Sequence, residues 1–136
     1  MNIAIKYYSR GGNTKKLAEA ISAAIGVTAT DVSEPLESEV DILFLCNSVY
    51  WAGVDGKVKD FLKSNASKIK KLVNVSSAGI IESTYKQIKS LAEKGGISID
   101  AREFHCKGKF MGMHKGKPDD NDFKAVAAFA KDIING

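Results

Sequence analysis

Ser9, Arg10, Gly11, Gly12, Asn13 and Thr14 place hydroxyls, an amide and two glycines where a short apolar run ends and an amphipathic helix pattern begins. Such a loop is suited to hold a phosphate. A helix N-terminus presents unpaired N–H groups and a partial positive charge, and glycine lets them approach an anion closely. Ser9, Asn13 and Thr14 add side-chain donors of the right reach. The expected ligand is a phosphorylated cofactor.

The elements that must position this loop follow an alternating order. Ile3–Tyr8 reads as a first strand, and helix one starts near Asn13, with Leu17, Ala20, Ile21, Ala24 and Ile25 on one face and Gly26 as its stop. Val27–Val32 is a second, alternating strand. Val40–Cys46 is a third, apolar enough to be covered on both faces. A loop from Asn47 to Gly56 leads to a helix with Val58, Phe61 and Leu62 inward. Strand four is Lys71–Ser76, followed by a loop to Glu82 and a helix from about Ser83 that Gly95 and Gly96 end. Strand five runs from Ile97 to Cys106, and Asp119, Asp120 and Asp122 suit the start of a last helix.

Strands alternating with helices predict an α/β fold built on a parallel sheet, as one domain over residues 1–136. Alternating strands two and five belong at the edges and apolar strands one, three and four inside. That is the doubly wound order 2-1-3-4-5, whose ligand site lies above the carboxyl ends of strands one and three. The segment Ser33–Glu39 is too short for a crossover helix, so the helix between strands two and three is expected to be missing or reduced. The sheet would then be thinly covered beside strands one and two.

Composition narrows the function classes. The chain has 136 residues, 44% hydrophobic and 26% charged, as in ordinary globular domains. It has no membrane-length apolar stretch and no signal-peptide layout at its start, which points to the cytoplasm. Cys46 and Cys106 are expected at the ends of strands with one further strand between them, about 10 Å from each other, and so are read as free thiols. The net charge of +4 gathers at Lys57–Lys71 and at Lys107–Lys117. This is read first as solvated surface, and second as a field for an anionic ligand or acidic partner. No aromatic-interleaved basic motif suggests nucleic acid. Other chemistries lack their residues. Ala52 stands where a phosphatase signature beginning at Cys46 needs arginine. The first loop has neither a Walker lysine nor the third glycine of a dinucleotide fingerprint. Tyr8 and Ser9 replace a response regulator's acidic cluster. His105, Cys106 and His114 match no zinc spacing.

Three loops leave the carboxyl side of central strands, and here the chain resembles the short-chain flavodoxins and small flavodoxin-domain proteins over its whole length. The resemblance rests on the Ser-x-x-Gly-Asn-Thr ending of the first loop and on Asn47, Ser48, Val49, Tyr50, Trp51, Ala52 and Gly53. It rests also on the placement of the third loop and on the segment Phe104–Phe110. It implies the flavodoxin-like three-layer fold and FMN as cofactor, with Ser9–Thr14 holding the 5′-phosphate. Arg10 departs from the small or hydroxyl residue usual there and is expected to point to solvent rather than add a charged contact. It implies further that Tyr50 and Trp51 flank the flavin ring, one of them belonging to the core. Gly53 would lie near flavin N5, and Ser76, Ser77, Ala78 and Gly79 along the ring's edge. The aromatic usual in the third loop is absent, which leaves that edge more open. The implied function is electron transfer between redox partners or to a small acceptor. The alternatives are an NAD(P)H-dependent quinone or nitro reductase and a flavodoxin-like module without flavin. No catalytic side chain, metal, nucleic acid or membrane is expected, and the chain would be a monomer or a homodimer.

Overall fold

The computed structural model describes residues 1–50, 53–78, 83–108 and 116–136. Its elements are β1 (Ile3–Tyr7), α1 (Asn13–Ile25), β2 (Ala29–Asp31), β3 (Ile42–Tyr50), β4 (Gly53–Val54), α2 (Gly56–Asn65), β5 (Lys71–Ala78), α3 (Tyr85–Lys94), β6 (Ser98–Ile99), β7 (Phe104–Lys107) and α4 (Asp120–Asn135). A single 3-10 turn, Ala66–Lys68, links α2 to β5. Strands pair in the order β2-β1-β3-β5, and β6 and β7 both lie on the outer side of β5, all parallel. The expected order is therefore the observed one.

Three strand bounds are corrected. The fifth strand is two, because the Asp100 carboxylate accepts the Arg102 N–H at 2.9 Å and closes a turn that breaks the ladder. The third strand continues through Asn47 and Ser48 to Tyr50, and Gly53–Val54 pairs back on it antiparallel, so the expected loop from Asn47 is mostly a hairpin. The fourth strand runs on to Ala78, carrying Ser76, Ser77 and Ala78 into the ladder.

Alternation along the strands divides the core into two layers. Ile5, Phe44, Cys46, Val73 and Val75 pack under α1 and α4, whose Leu17, Ala18, Ile21, Val126, Ala130 and Ile133 are buried. Leu43, Leu45 and Leu72 face Val58, Phe61 and Leu62 of α2 and Ile88 and Ala92 of α3. Local sequence sets the helix ends. Gly26 adopts φ 72° and donates its N–H to Ser22 O at 2.9 Å. Asp55 accepts the Lys57 N–H at 2.9 Å, and Asp119 with Asp122 forms a reciprocal capping box. Both cysteines are free, Cys46 buried and Cys106 half-buried, with burial pushing the Cys106 thiol up to about 12. Among the described residues no helix is long and apolar enough to cross a membrane.

No helix connects β2 to β3. The segment 33–39 lies instead as a strap, fixed by one apolar plug and several polar ties. Leu36 is buried in the α2 layer. Its N–H donates to Asn65 Oδ1 at 3.1 Å, and its carbonyl accepts from Lys68 Nζ at 2.7 Å. Lys6, itself buried, donates to Glu34 O and to Thr30 Oγ1, both at 2.7 Å. Burial lowers the Lys6 pKa, against the raising influence of Glu34, Asp31 and Glu37. A cleft of ≈ 290 Å³ remains beside the strap, lined in part by Ile3, Ile5, Lys6 and Val27, where a crossover helix would otherwise lie. Replacing Leu36 with alanine should lower the unfolding free energy by about 2–4 kcal/mol in urea denaturation, because it is the strap's one large buried side chain.

Acid should act through three carboxylates. The Arg102 guanidinium, with Lys71, holds Asp100 well below the usual carboxylate range. The Asn2 N–H and Lys70 lower Asp41, and Lys117 with the Asp122 N–H lowers Asp119. Each folded-state value lies below its unfolded one, so the unfolded chain binds more protons as pH falls. Stability from these groups is complete above about pH 5 and declines below about pH 4. A series of melting curves from neutral to acid pH checks this.

Candidate functional site

The first loop leaves β1 at Tyr8 and opens α1 at Asn13, above the carboxyl end of the sheet. Gly12 takes the N-cap position at φ 90°, a left-handed conformation that favours glycine, and no side chain caps the helix. The first turn of α1 holds no acid, so its N–H groups keep their affinity for an anion. A Cβ at Gly11 or Gly12 would meet nothing within 4 Å, which leaves room above the loop. Thr14 is buried and its hydroxyl donates to Tyr8 O at 3.0 Å, closing the loop on itself. Arg10 is exposed, and Asn13 is half-buried.

Two hydroxyl oxygens in this region, Ser9 Oγ and Ser48 Oγ, are buried and have no hydrogen-bond partner among the described residues. Their placement is shared. Tyr7, the last residue of β1, lies opposite Cys46 on β3, and Ser9 in the loop and Ser48 on β3 each follow two residues later. Ser48 in turn lies opposite Ser77 on β5. Alternation from Cys46 and Val75 puts Ser48 and Ser77 on the α1 side of the sheet. Native interiors rarely leave hydroxyls unpaired, so two together mark a position for a polar ligand. An anion with several oxygens fits this donor set.

Gly108, not singled out from the sequence, closes the same corner. It is buried, its N–H donates to Ala78 O at 3.2 Å, and a Cβ there would sit 3.1 Å from Asn13 Nδ2 and 3.3 Å from Ser77 Cβ. Gly108→Ala should therefore push Asn13 and Ser77 apart by a few tenths of an ångström. Ligand affinity should fall by about tenfold in a binding titration, with little loss of fold stability.

Asn47 is placed differently from its expected partners. It is fully buried on the α2 side of β3, and its side chain donates to Asn74 Oδ1 at 2.7 Å and to Leu45 O at 3.0 Å. Thr84 Oγ1 donates to Asn47 Oδ1 at 2.6 Å and accepts from Asn74 Nδ2 at 3.0 Å. Asn47, Asn74 and Thr84 thus lock β3, β5 and the start of α3 together beneath the second and third loops. Thr84 stands at the N-cap of α3 but gives its hydroxyl to this network instead of the helix. Ser83, beside it, donates to Glu103 Oε1 at 2.6 Å, and Glu103 Oε2 meets His105 Nδ1 at 2.6 Å. The exit of the third loop is therefore held from two sides. Periodicity gave no sign of Asn74, Thr84 or Glu103, because their partners lie far along the chain.

Of the other expected residues, Ala78 is buried at the end of β5, and Val49, Tyr50 and Gly53 lie in the β3–β4 hairpin. Trp51, Ala52 and Gly79 lie outside the described residues, as does the question of which aromatic stacks on a ring. Among the described residues no group of histidines, cysteines and carboxylates could hold a metal ion.

The lysines divide between the two ends of the sheet. Lys68, Lys70 and Lys71 lie at its amino end, where they bond to Leu36 O, Asp41 and Asp100. Lys57 and Lys59, in the first turn of α2, stand at the site end, and Lys57 Nζ is 5.9 Å from the Tyr8 ring centroid.

No family model matches the chain. An uncharacterized protein of Methanocaldococcus jannaschii is 26% identical, with 90% of each chain aligned. A flavodoxin from the domain Archaea superposes with a TM-score of 0.78 at 18% identity, over 99% of this chain and 97% of its own. Oxidised flavodoxin 1 of Bacillus cereus gives 0.76 at 14% identity, over 99% and 98%. The fold is flavodoxin-like along the whole chain.

Proposed function

We propose that this flavodoxin-like chain binds FMN and passes electrons between redox partners or to a small acceptor. The observation that carries the reading is the pair of buried hydroxyls, Ser9 Oγ and Ser48 Oγ, without a partner among the described residues, beside an uncapped helix N-terminus. Ser9, the N–H groups of residues 10–14 and the amide of Asn13 would hold the 5′-phosphate. Ser48 and Ser77 would reach it or the hydroxyls next to it. The second loop, Tyr50, Trp51 and Gly53 foremost, and the third, from Ser77 to Gly79, would flank the ring and keep water from it. FMN, when bound, supplies one- and two-electron chemistry, and the chain's part is binding, orientation and control of access. The Asn47–Asn74–Thr84 network would keep the two ring-flanking loops at a fixed separation.

Incubation with FMN followed by desalting tests the reading. Retention of a flavin band near ~450 nm is the expected result, and a colourless protein would refute it. NADPH added to the loaded protein then separates two roles. Persistence of the band without a partner protein supports electron transfer, whereas prompt bleaching would make the chain an NAD(P)H-dependent reductase.

A further inference from the structure

Helices α1, α2 and α3 all begin at the site end of the sheet, and their first turns hold lysines and no acid: Lys15 and Lys16, Lys57 and Lys59, and Lys86. Only α4, among the described helices, starts with acids, Asp120 and Asp122. A helix N-terminus is already partly positive, so a lysine there is locally unfavourable. A local choice repeated against helix electrostatics points to a use for the charge.

Lys57, Lys59 and Lys86 are exposed and form no ion pair among the described residues, unlike Lys70 and Lys71 at the far end. They stand on α2 and α3, the helices that follow the second and third loops. The acids nearby include Asp31 and Glu34, on either side of the Val32–Ser33 stretch that shares a cleft with Lys57 and Asp60. Asp55 caps α2, Asp60 lies on its second turn, and Glu103 is bonded to Ser83 and His105. The acids that begin α4 belong to the opposite layer, with α1.

We propose that the α2–α3 face at the site end, carrying Lys57, Lys59 and Lys86, docks the acidic surface of a protein redox partner. This rests on the flavoprotein reading. Lysine is a hydrated point charge suited to long-range steering, whereas a nucleotide phosphate is clamped best by the guanidinium fork. Packed helix axes stand about 8–10 Å apart, so the patch is broader than a small anion needs and suits a protein face.

Biolayer interferometry with an immobilised acidic [2Fe–2S] ferredoxin as probe, and basic cytochrome c as its opposite, tests the surface. The dissociation constant for ferredoxin should weaken at least ~10-fold between about 20 mM and 300 mM NaCl, and cytochrome c should not bind. Lys57→Glu/Lys59→Glu/Lys86→Glu should abolish ferredoxin binding while raising the melting temperature, since acids now occupy helix N-termini. Lys63→Glu/Lys94→Glu/Lys131→Glu, an equal charge change away from this end, should bind as the unaltered protein does. Equal losses in the two variants, salt-independent binding, or tighter binding of cytochrome c would overturn the proposal. So would loss of NADPH affinity in the first variant with no ferredoxin binding at all, which would assign the charge to a small anion. None of these readouts needs flavin, so failure of FMN uptake is a separate result.

Discussion

Asn47→Leu should lower the unfolding free energy by about 3–5 kcal/mol and weaken any ligand held between the second and third loops. Leucine keeps the branching of asparagine and is bulkier, so the loss arises from unpaired groups and some crowding, not from a cavity. Asn74 Oδ1 loses its donor, and the Thr84 hydroxyl loses its acceptor, both fully buried. Each orphaned group costs about 1–3 kcal/mol because water cannot reach it. The companion Asn47→Leu/Asn74→Leu/Thr84→Val, in which every member becomes apolar, should recover much of the stability. Urea denaturation of the single and triple variants measures the difference. A triple variant as unstable as the single one would mean that the network's effect is packing, not hydrogen bonding.

The second expected result has the opposite sign for fold and ligand. Ser9→Ala/Ser48→Ala removes two buried hydroxyls that have no partner among the described residues. The ligand-free protein should therefore keep its melting temperature or gain slightly, because nothing is broken and two desolvated groups are gone. FMN affinity should drop by about 10²-fold, since hydrogen bonds to a charged group contribute about 1.5–3 kcal/mol each. Isothermal titration and thermal melting of the same variant read both effects. A destabilised variant with unchanged FMN affinity would make the two serines structural.

What could be read from the chain follows from range. The strand order came from local patterns: continuous apolar runs inside, alternating ones at the edges. The missing crossover helix came from chain length alone, since the segment Ser33–Glu39 cannot form it. The break in the fifth strand left no trace in the alternation, because it rests on the turn that Asp100 closes with Arg102. Ile97 and Ile99 belong to the α2–α3 layer and Phe104 and Cys106 to the other, as one continuous strand from 97 to 106 would also place them. Asn47 was read as loop because polar residues after an apolar run usually are. Its partners lie 27 and 37 residues away, beyond any local signal. The phosphate loop was legible as a motif, but the vacant bonding capacity of Ser9 and Ser48 is visible only in three dimensions.

A flavin titration run side by side with FMN and with riboflavin, which lacks the phosphate, tests the central claim that the Ser9–Thr14 loop is a phosphate cradle. FMN should bind one to one and at least ~100-fold more tightly than riboflavin, the difference being the loop's several bonds to the anion. Equal affinities, or no binding of either, would contradict the account.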